Sequence, residues 1–116
     1  MNAAQVDLQQ LRIKHILYKA KVRSAVYGGS YDAPFFSRSG PVDTWFSSIG
    51  LLKYNQEPEM KELNGLQKEI NSFVNHLTEL YKNGKIDEAY DGLSIIEEKS
   101  VHFLSLVTLL EKRLGE

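Results

Sequence analysis

Three stretches of this chain set apolar side chains at alternating steps of three and four, and no other feature limits the fold so much. That spacing lines one face of an α-helix and needs a second apolar surface to cover it. The clearest run is Ile86, Ala89, Leu93, Ile96, Ser100, Phe103, Val107, Leu110 and Leu114. Met60, Leu63, Gln67, Ile70, Val74, Leu77 and Tyr81 repeat it, and so do Ala4, Leu8, Leu11, His15, Tyr18, Val22 and Ala25. Each seam holds one polar interruption: His15, Gln67 or Ser100. A polar group in a helical seam must find a partner, bind a ligand or titrate, so these positions are the natural candidates for a site.

The punctuation between the seams sets the helix boundaries. The first helix is expected over residues 4–27, ended by Gly28-Gly29. Residues 28–40 read as an ordered connector whose Phe35 and Phe36 plug the end of the core. Pro41 suits the first turn of a short helix and Asp43 complements its positive end; Val42, Trp45, Phe46 and Ile49 follow, and Gly50 is the expected stop. A third helix runs from Pro58 to Asn83-Gly84, with Gly65 weakening it by about 1 kcal/mol relative to Ala. The last spans 86–114. Three long amphipathic helices and one short one, joined by brief turns, predict an all-α, antiparallel four-helix bundle occupying 1–116 as a single domain.

Composition excludes several functions. With 116 residues of which 42% are hydrophobic, one core suffices. The net charge is -1 with cations scattered among acids, which disfavours nucleic acid. There is no cysteine, hence no disulfide, thiolate ligand or thiol nucleophile. MNAAQVDLQQL has neither the basic start nor the apolar run of a secretory leader, and no stretch approaches the length of a membrane span, so a cytoplasmic location is expected. No phosphate loop, Ser-His-Asp set or zinc-protease motif occurs, and no enzyme activity is expected. Glu57, Glu59, Glu62, Glu97 and Glu98 read as solvated helix faces with lysines nearby. Trp45 and Phe46 with Phe35 and Phe36 are either the lid of the core or a partner-binding patch.

His15-Ile-Leu-Tyr18-Lys19, followed by Val22, Val26-Tyr27 and Gly28, resembles the first helix of the chemoreceptor zinc-binding domains. Gly40-Pro41-Val42-Asp43-Thr44-Trp45 is similar to that family's Cys-x-Leu/Phe-Gly-Lys/Arg-Trp segment, with the tryptophan and an apolar residue kept and the cysteine replaced. Counting back from Gly84 puts Gln67 and Asn71 on the family's His-x-x-x-His pair. The resemblance covers about residues 10–112. It implies a four-helix bundle in which one Cys and three His hold zinc and which regulates chemotaxis receptors or diguanylate cyclases.

Carried over position by position, His15 remains, while Gly40, Gln67 and Asn71 stand where the other three ligands would be. Glycine offers no ligand and neutral amides are poor zinc donors, so neither metal nor any other cofactor is expected. The expectation is a metal-free sensory or regulatory bundle, its core held by hydrogen bonds among His15, Gln67 and Asn71, acting on a signalling protein or on a second copy of itself. Two alternatives stand beside it. One is a metal or small-ligand receptor using His15, Gln67 and Asn71 as a pocket. The other is a histidine phosphotransfer protein, for which His15 and Lys19 stand one residue further apart than in the usual His-x-x-Lys-Gly.

Overall fold

The computed structural model describes residues 2–28, 35–36 and 40–115, and among these the chain is all-α with no strand. Helix α1 spans Ala3–Gly28, α2 Pro41–Trp45, α3 Leu51–Lys53, α4 Pro58–Lys82, α5 Ile86–Asp91 and α6 Leu93–Leu114; a π-helical turn over Phe46–Gly50 joins α2 to α3. The expected helix end at Gly29 and the connector positions 29–34 and 37–39 lie outside the described residues.

The seams point where their spacing says. Leu8, Leu11, His15, Tyr18, Val22 and Ala25 of α1 are buried, as are Met60, Leu63, Gln67, Ile70, Val74 and Leu77 of α4 and Ile96, Ser100, Phe103, Val107 and Leu110 of α6. The ends of the seams relax toward solvent: Ala4, Tyr81, Leu93 and Leu114 are half-buried and Ile86 is exposed.

Side-chain pairs fix the relative direction of the long helices. Residue numbers rise along α1 as they fall along α6: Asn2 Nδ2 donates to the Leu114 carbonyl (2.9 Å), Arg12 meets Glu111, and Lys19 meets Glu97 (2.9 Å). Between α4 and α6 the order is again reversed, through Glu59 with Arg113 (2.7 Å), Glu62 with His102 (3.0 Å) and Glu69 with Lys99 (3.7 Å). Helices α1 and α4 therefore run the same way.

Gly50, read as a helix stop, does something else, and Gly92, expected inside a helix, divides it. The chain stays helical through Gly50 to Lys53, because Gly50 keeps right-handed helical backbone and brings that backbone against the Trp45 ring; a Cβ there would lie 2.6 Å from Trp45 Cζ3 and 3.1 Å from Met60 Sδ. The helix expected over 86–114 is divided at Gly92, where a Cβ would collide with the Leu77 side chain. Both glycines serve close approach. Among the described residues Gly84 alone supplies left-handed backbone, φ +80°, in the turn from α4 to α5.

The aromatic residues expected as lid or patch are lid. Trp45 and Phe46 are 1% exposed and Phe36 5%, with Phe35 half-buried against Phe36 and Tyr18. Trp45 Nε1 donates to the Asp7 carbonyl (3.1 Å), which satisfies the indole and pins α2 to α1. Core side chains cannot also offer a partner-binding patch, so that reading is corrected. No helix among the described residues is long and apolar enough to cross a membrane.

Candidate functional site

The three polar seam residues all lie inside. His15 is 1% exposed, Ser100 1% and Gln67 0%. The imidazole stacks on Phe103 with ring centroids 4.2 Å apart and planes 8° from parallel, and Nε2 lies 2.8 Å from Ser100 Oγ. The aromatic contact continues from Phe103 to Phe46 and on to Trp45, at centroid distances of 6.4 and 5.2 Å. One ring face and one nitrogen of His15 are thus held by α6, which fixes its orientation.

Burial decides the charge of that ring. It holds the His15 pKa at about 4, below the ordinary 6.5; Lys19 and Arg12 act in the same direction and Glu97 opposes them. His15 is neutral at pH 7. Its Nδ1 has no protein partner, and neither has Gln67 Oε1.

Asn71 forms a second centre. Its Oδ1 accepts from Tyr18 Oη (2.5 Å) and from Gln67 Nε2 (3.0 Å), while its Nδ2 donates to Asp43, at 3.0 Å to Oδ2 and 3.3 Å to Oδ1. One carboxamide thereby ties α1, α2 and α4 together. The i, i+4 spacing of Gln67 and Asn71 aligns the two amides, and Asp43 reaches them because Pro41 starts α2 right after the buried Gly40. Gly40 itself has extended backbone, and its carbonyl accepts from the Thr44 N–H (2.9 Å).

The level of the two centres follows from the helix directions. Because α1 and α4 run the same way and Tyr18 meets Asn71, His15 and Gln67 sit one turn earlier at a common height. The expected cluster of His15 with Gln67 and Asn71 is corrected in one respect: Gln67 and Asn71 are bonded as expected, together with Tyr18 and Asp43 on Asn71, but His15 bonds Ser100 in a separate group. Helical spacing reported which side chains face inward and could not report rotation between helices. Tyr18 and Asp43 were missed as partners. Their signal was a seam tyrosine and a first-turn carboxylate, each of which has a sufficient local explanation.

The arrangement limits the chemistry. A phosphotransfer histidine must be open to solvent, and His15 is enclosed. Among the described residues no three His, Asp or Glu side chains gather to hold a metal ion. His102 pairs with Glu62 at the surface and His76 lies against Phe73, both away from the layer. Four of the glutamates read as helix faces are ion-paired: Glu59 and Glu57 with Arg113, Glu62 with His102 when that ring is protonated, and Glu97 with Lys19 and Arg23. Comparison with protein-family models, curated proteins and solved structures returns no match for this chain.

Proposed function

We propose that this chain is a non-catalytic regulatory module, an antiparallel four-helix bundle of the chemoreceptor zinc-binding type in which hydrogen bonds have replaced the metal. The observation that carries this reading is Asn71. At a position where the resemblance calls for a zinc-binding histidine stands an amide bonded to Tyr18, Gln67 and Asp43. A metal joins several helices at one point; this amide does the same with neutral and anionic partners, and the Asp43 carboxylate takes up its donor. His15, the one retained ligand, is locked by Ser100 and Phe103. A module built this way signals through contacts with a partner protein.

Metal analysis and restoration test the reading together. Purified chain is expected to carry no stoichiometric zinc, and EDTA is expected to leave its melting temperature unchanged. The triple variant Gly40→Cys, Gln67→His, Asn71→His is expected to bind one zinc per chain and to melt higher with zinc than without. Stoichiometric zinc in the unaltered chain overturns the loss of the site; a triple variant that folds and ignores zinc overturns the resemblance.

A second reading, a receptor for a small polar ligand, is favoured by one observation only: His15 Nδ1 and Gln67 Oε1 are buried without protein partners. Two polar atoms at one height are satisfied by an ordered water as well as by a ligand. Gln67→Leu separates the two, since it leaves a merely structural layer folded and abolishes any saturable ligand binding.

A further inference from the structure

Asn-Gly occurs twice in this chain, at Asn64-Gly65 and at Asn83-Gly84. An asparagine in such a pair can cyclise: the next residue's backbone nitrogen reaches the side-chain carbonyl carbon, and glycine has no Cβ to block the approach. Neither carboxamide is held by a hydrogen bond among the described residues, so the backbone decides which pair is reactive.

Asn64 stands in the interior of α4, half-buried beside Phe46, Leu51 and Lys68. Freeing the Gly65 nitrogen means opening the middle of a 25-residue helix, with hydrogen-bonded turns on both sides. Asn83 instead ends α4, with φ -87° and ψ 9°, and both it and Gly84 are exposed. Two bonds close the turn after it: Gly84 N–H donates to the Tyr81 carbonyl (3.1 Å) and Lys85 N–H to the Leu80 carbonyl (2.9 Å). They are the pair that closes a helix at a left-handed glycine. Rotation about the Asn83 Cα–C bond carries the Gly84 nitrogen toward Asn83 Cγ. That rotation undoes the two bonds of the turn and leaves the body of α4 intact.

We propose that Asn83 is a site of spontaneous deamidation and isomerisation, and that α4 protects Asn64 from the same reaction. Hydroxide removes the Gly84 amide proton, the nitrogen forms a bond to Asn83 Cγ, and the Cγ–Nδ2 bond breaks. The leaving nitrogen takes a proton from water and departs as ammonia. The cyclic imide then takes up one water at either carbonyl. Breaking its bond from nitrogen to Cγ gives aspartate. Breaking its bond from nitrogen to the main-chain carbonyl carbon gives isoaspartate, whose main chain runs through Cβ and Cγ and is one atom longer. Overall an amide and a water become a carboxylate and ammonium, and nothing is oxidised or reduced. Either product sets a carboxylate at the end of α4, where the last carbonyls of the helix already concentrate negative charge. Isoaspartate also moves Gly84 and Lys85 out of register with the Tyr81 and Leu80 carbonyls and loosens the turn into α5. The inference stands apart from the regulatory reading and requires neither a partner nor a metal.

The test ages the full chain at pH 8.0 and 37 °C and locates each amide-to-acid mass gain by chymotryptic mapping, which cuts after Tyr81 and Tyr90 and so isolates the turn. Conversion at Asn83 is expected to run at least about tenfold faster than at Asn64 in the folded chain, and the gap is expected to close in urea. Asn83→Gln, a change at an exposed position, is expected to keep the thermal melt and to remove the acidic product at this turn. In the isolated isoaspartate form the Gly84 and Lys85 amide protons are expected to exchange with solvent at least about tenfold faster than in fresh protein. Comparable rates at the two asparagines of the folded chain, or a gap that survives urea, overturns the claim that the fold selects Asn83. Absence of conversion at Asn83 overturns the site itself, and unchanged exchange at Gly84 and Lys85 overturns the loosened turn.

Discussion

Acidification from pH 7.5 to 5.0 is expected to destabilise this protein through one residue. His15 has a folded pKa of about 4 against 6.5 unfolded, so between these values the unfolded chain binds a proton that the folded chain refuses. A pKa lowered by folding gives stability that is whole above the unfolded value and is lost as pH falls toward the folded one. Integrating that difference down to pH 5.0 gives a loss of about 2 kcal/mol, and the full loss, reached below pH 4, is about 3 kcal/mol. Against a stability of roughly 5–15 kcal/mol for a domain of this size, the first figure lowers the melting temperature by about 10 °C.

Stopping at pH 5.0 limits the carboxylate contribution, and comparison with a variant lacking the imidazole isolates His15. Glu59 is held below its ordinary 4.5 by Arg113, and Glu97 by Lys19. They also lose stabilisation as pH falls, but below that range. The assay is urea unfolding at pH 7.5 and 5.0 for the unaltered chain and for His15→Gln, which has no imidazole at this position. The variant is expected to lose about 2 kcal/mol less over the interval. NMR of the His15 ring gives the same answer without a variant: its Cε1–H shift is expected to stay constant from pH 7.5 to 5.0. Parallel pH profiles for the two proteins, or a ring titrating near 6.5, would refute the claim that burial keeps this group neutral.

Two further outcomes follow from the same packing. Gly92→Ala drives a methyl into Leu77 and is expected to cost about 1–3 kcal/mol, whereas Gly65→Ala, with open space around its Cβ in the middle of α4, is expected to stabilise by about 0.5–1 kcal/mol; thermal melts of the pair read both signs, and a neutral Gly92→Ala contradicts the contact. Asp43→Ala leaves the Asn71 amide without its acceptor and is expected to cost about 1–3 kcal/mol, with a smaller cost when Asn71 is already alanine; an additive double-mutant cycle by urea unfolding would show that the two do not act together.

How far the fold was legible follows from what each signal encodes. The seams of α1, α4 and α6 were readable because burial of one helical face is a property of one helix at a time, and a three-four spacing records it. Gly50 was misread as a stop and Gly92 was passed over because a glycine that ends a helix, one that sits within it and one that admits a neighbouring ring or leucine look the same in one dimension; what marks these two is Trp45 five residues before the first and Leu77 fifteen before the second. The site behaved likewise. That His15, Gln67 and Ser100 turn inward was local information. That His15 meets Ser100 while Asn71 gathers Tyr18, Gln67 and Asp43 depends on the rotation of α1 against α4 and α6, which no spacing within a single helix contains.

The outer face of α1, where Val6, Ile13, Ile16, Leu17 and Tyr27 are exposed, was overlooked for a related reason. Val6, Ile13, Ala20 and Tyr27 recur at steps of seven, the same kind of period as the buried seam from Leu8 to Ala25, but half a turn away around the helix. Two apolar faces on opposite sides cancel as an amphipathic signal, so α1 reads as weakly patterned where α4, with one face, reads as strongly patterned. A helix that serves only its own core has no need of the second face, and exposed apolar side chains carry a solubility cost unless something covers them. The same helix carries His15 inward and that second face outward, so a shift of α1 against α6 moves both.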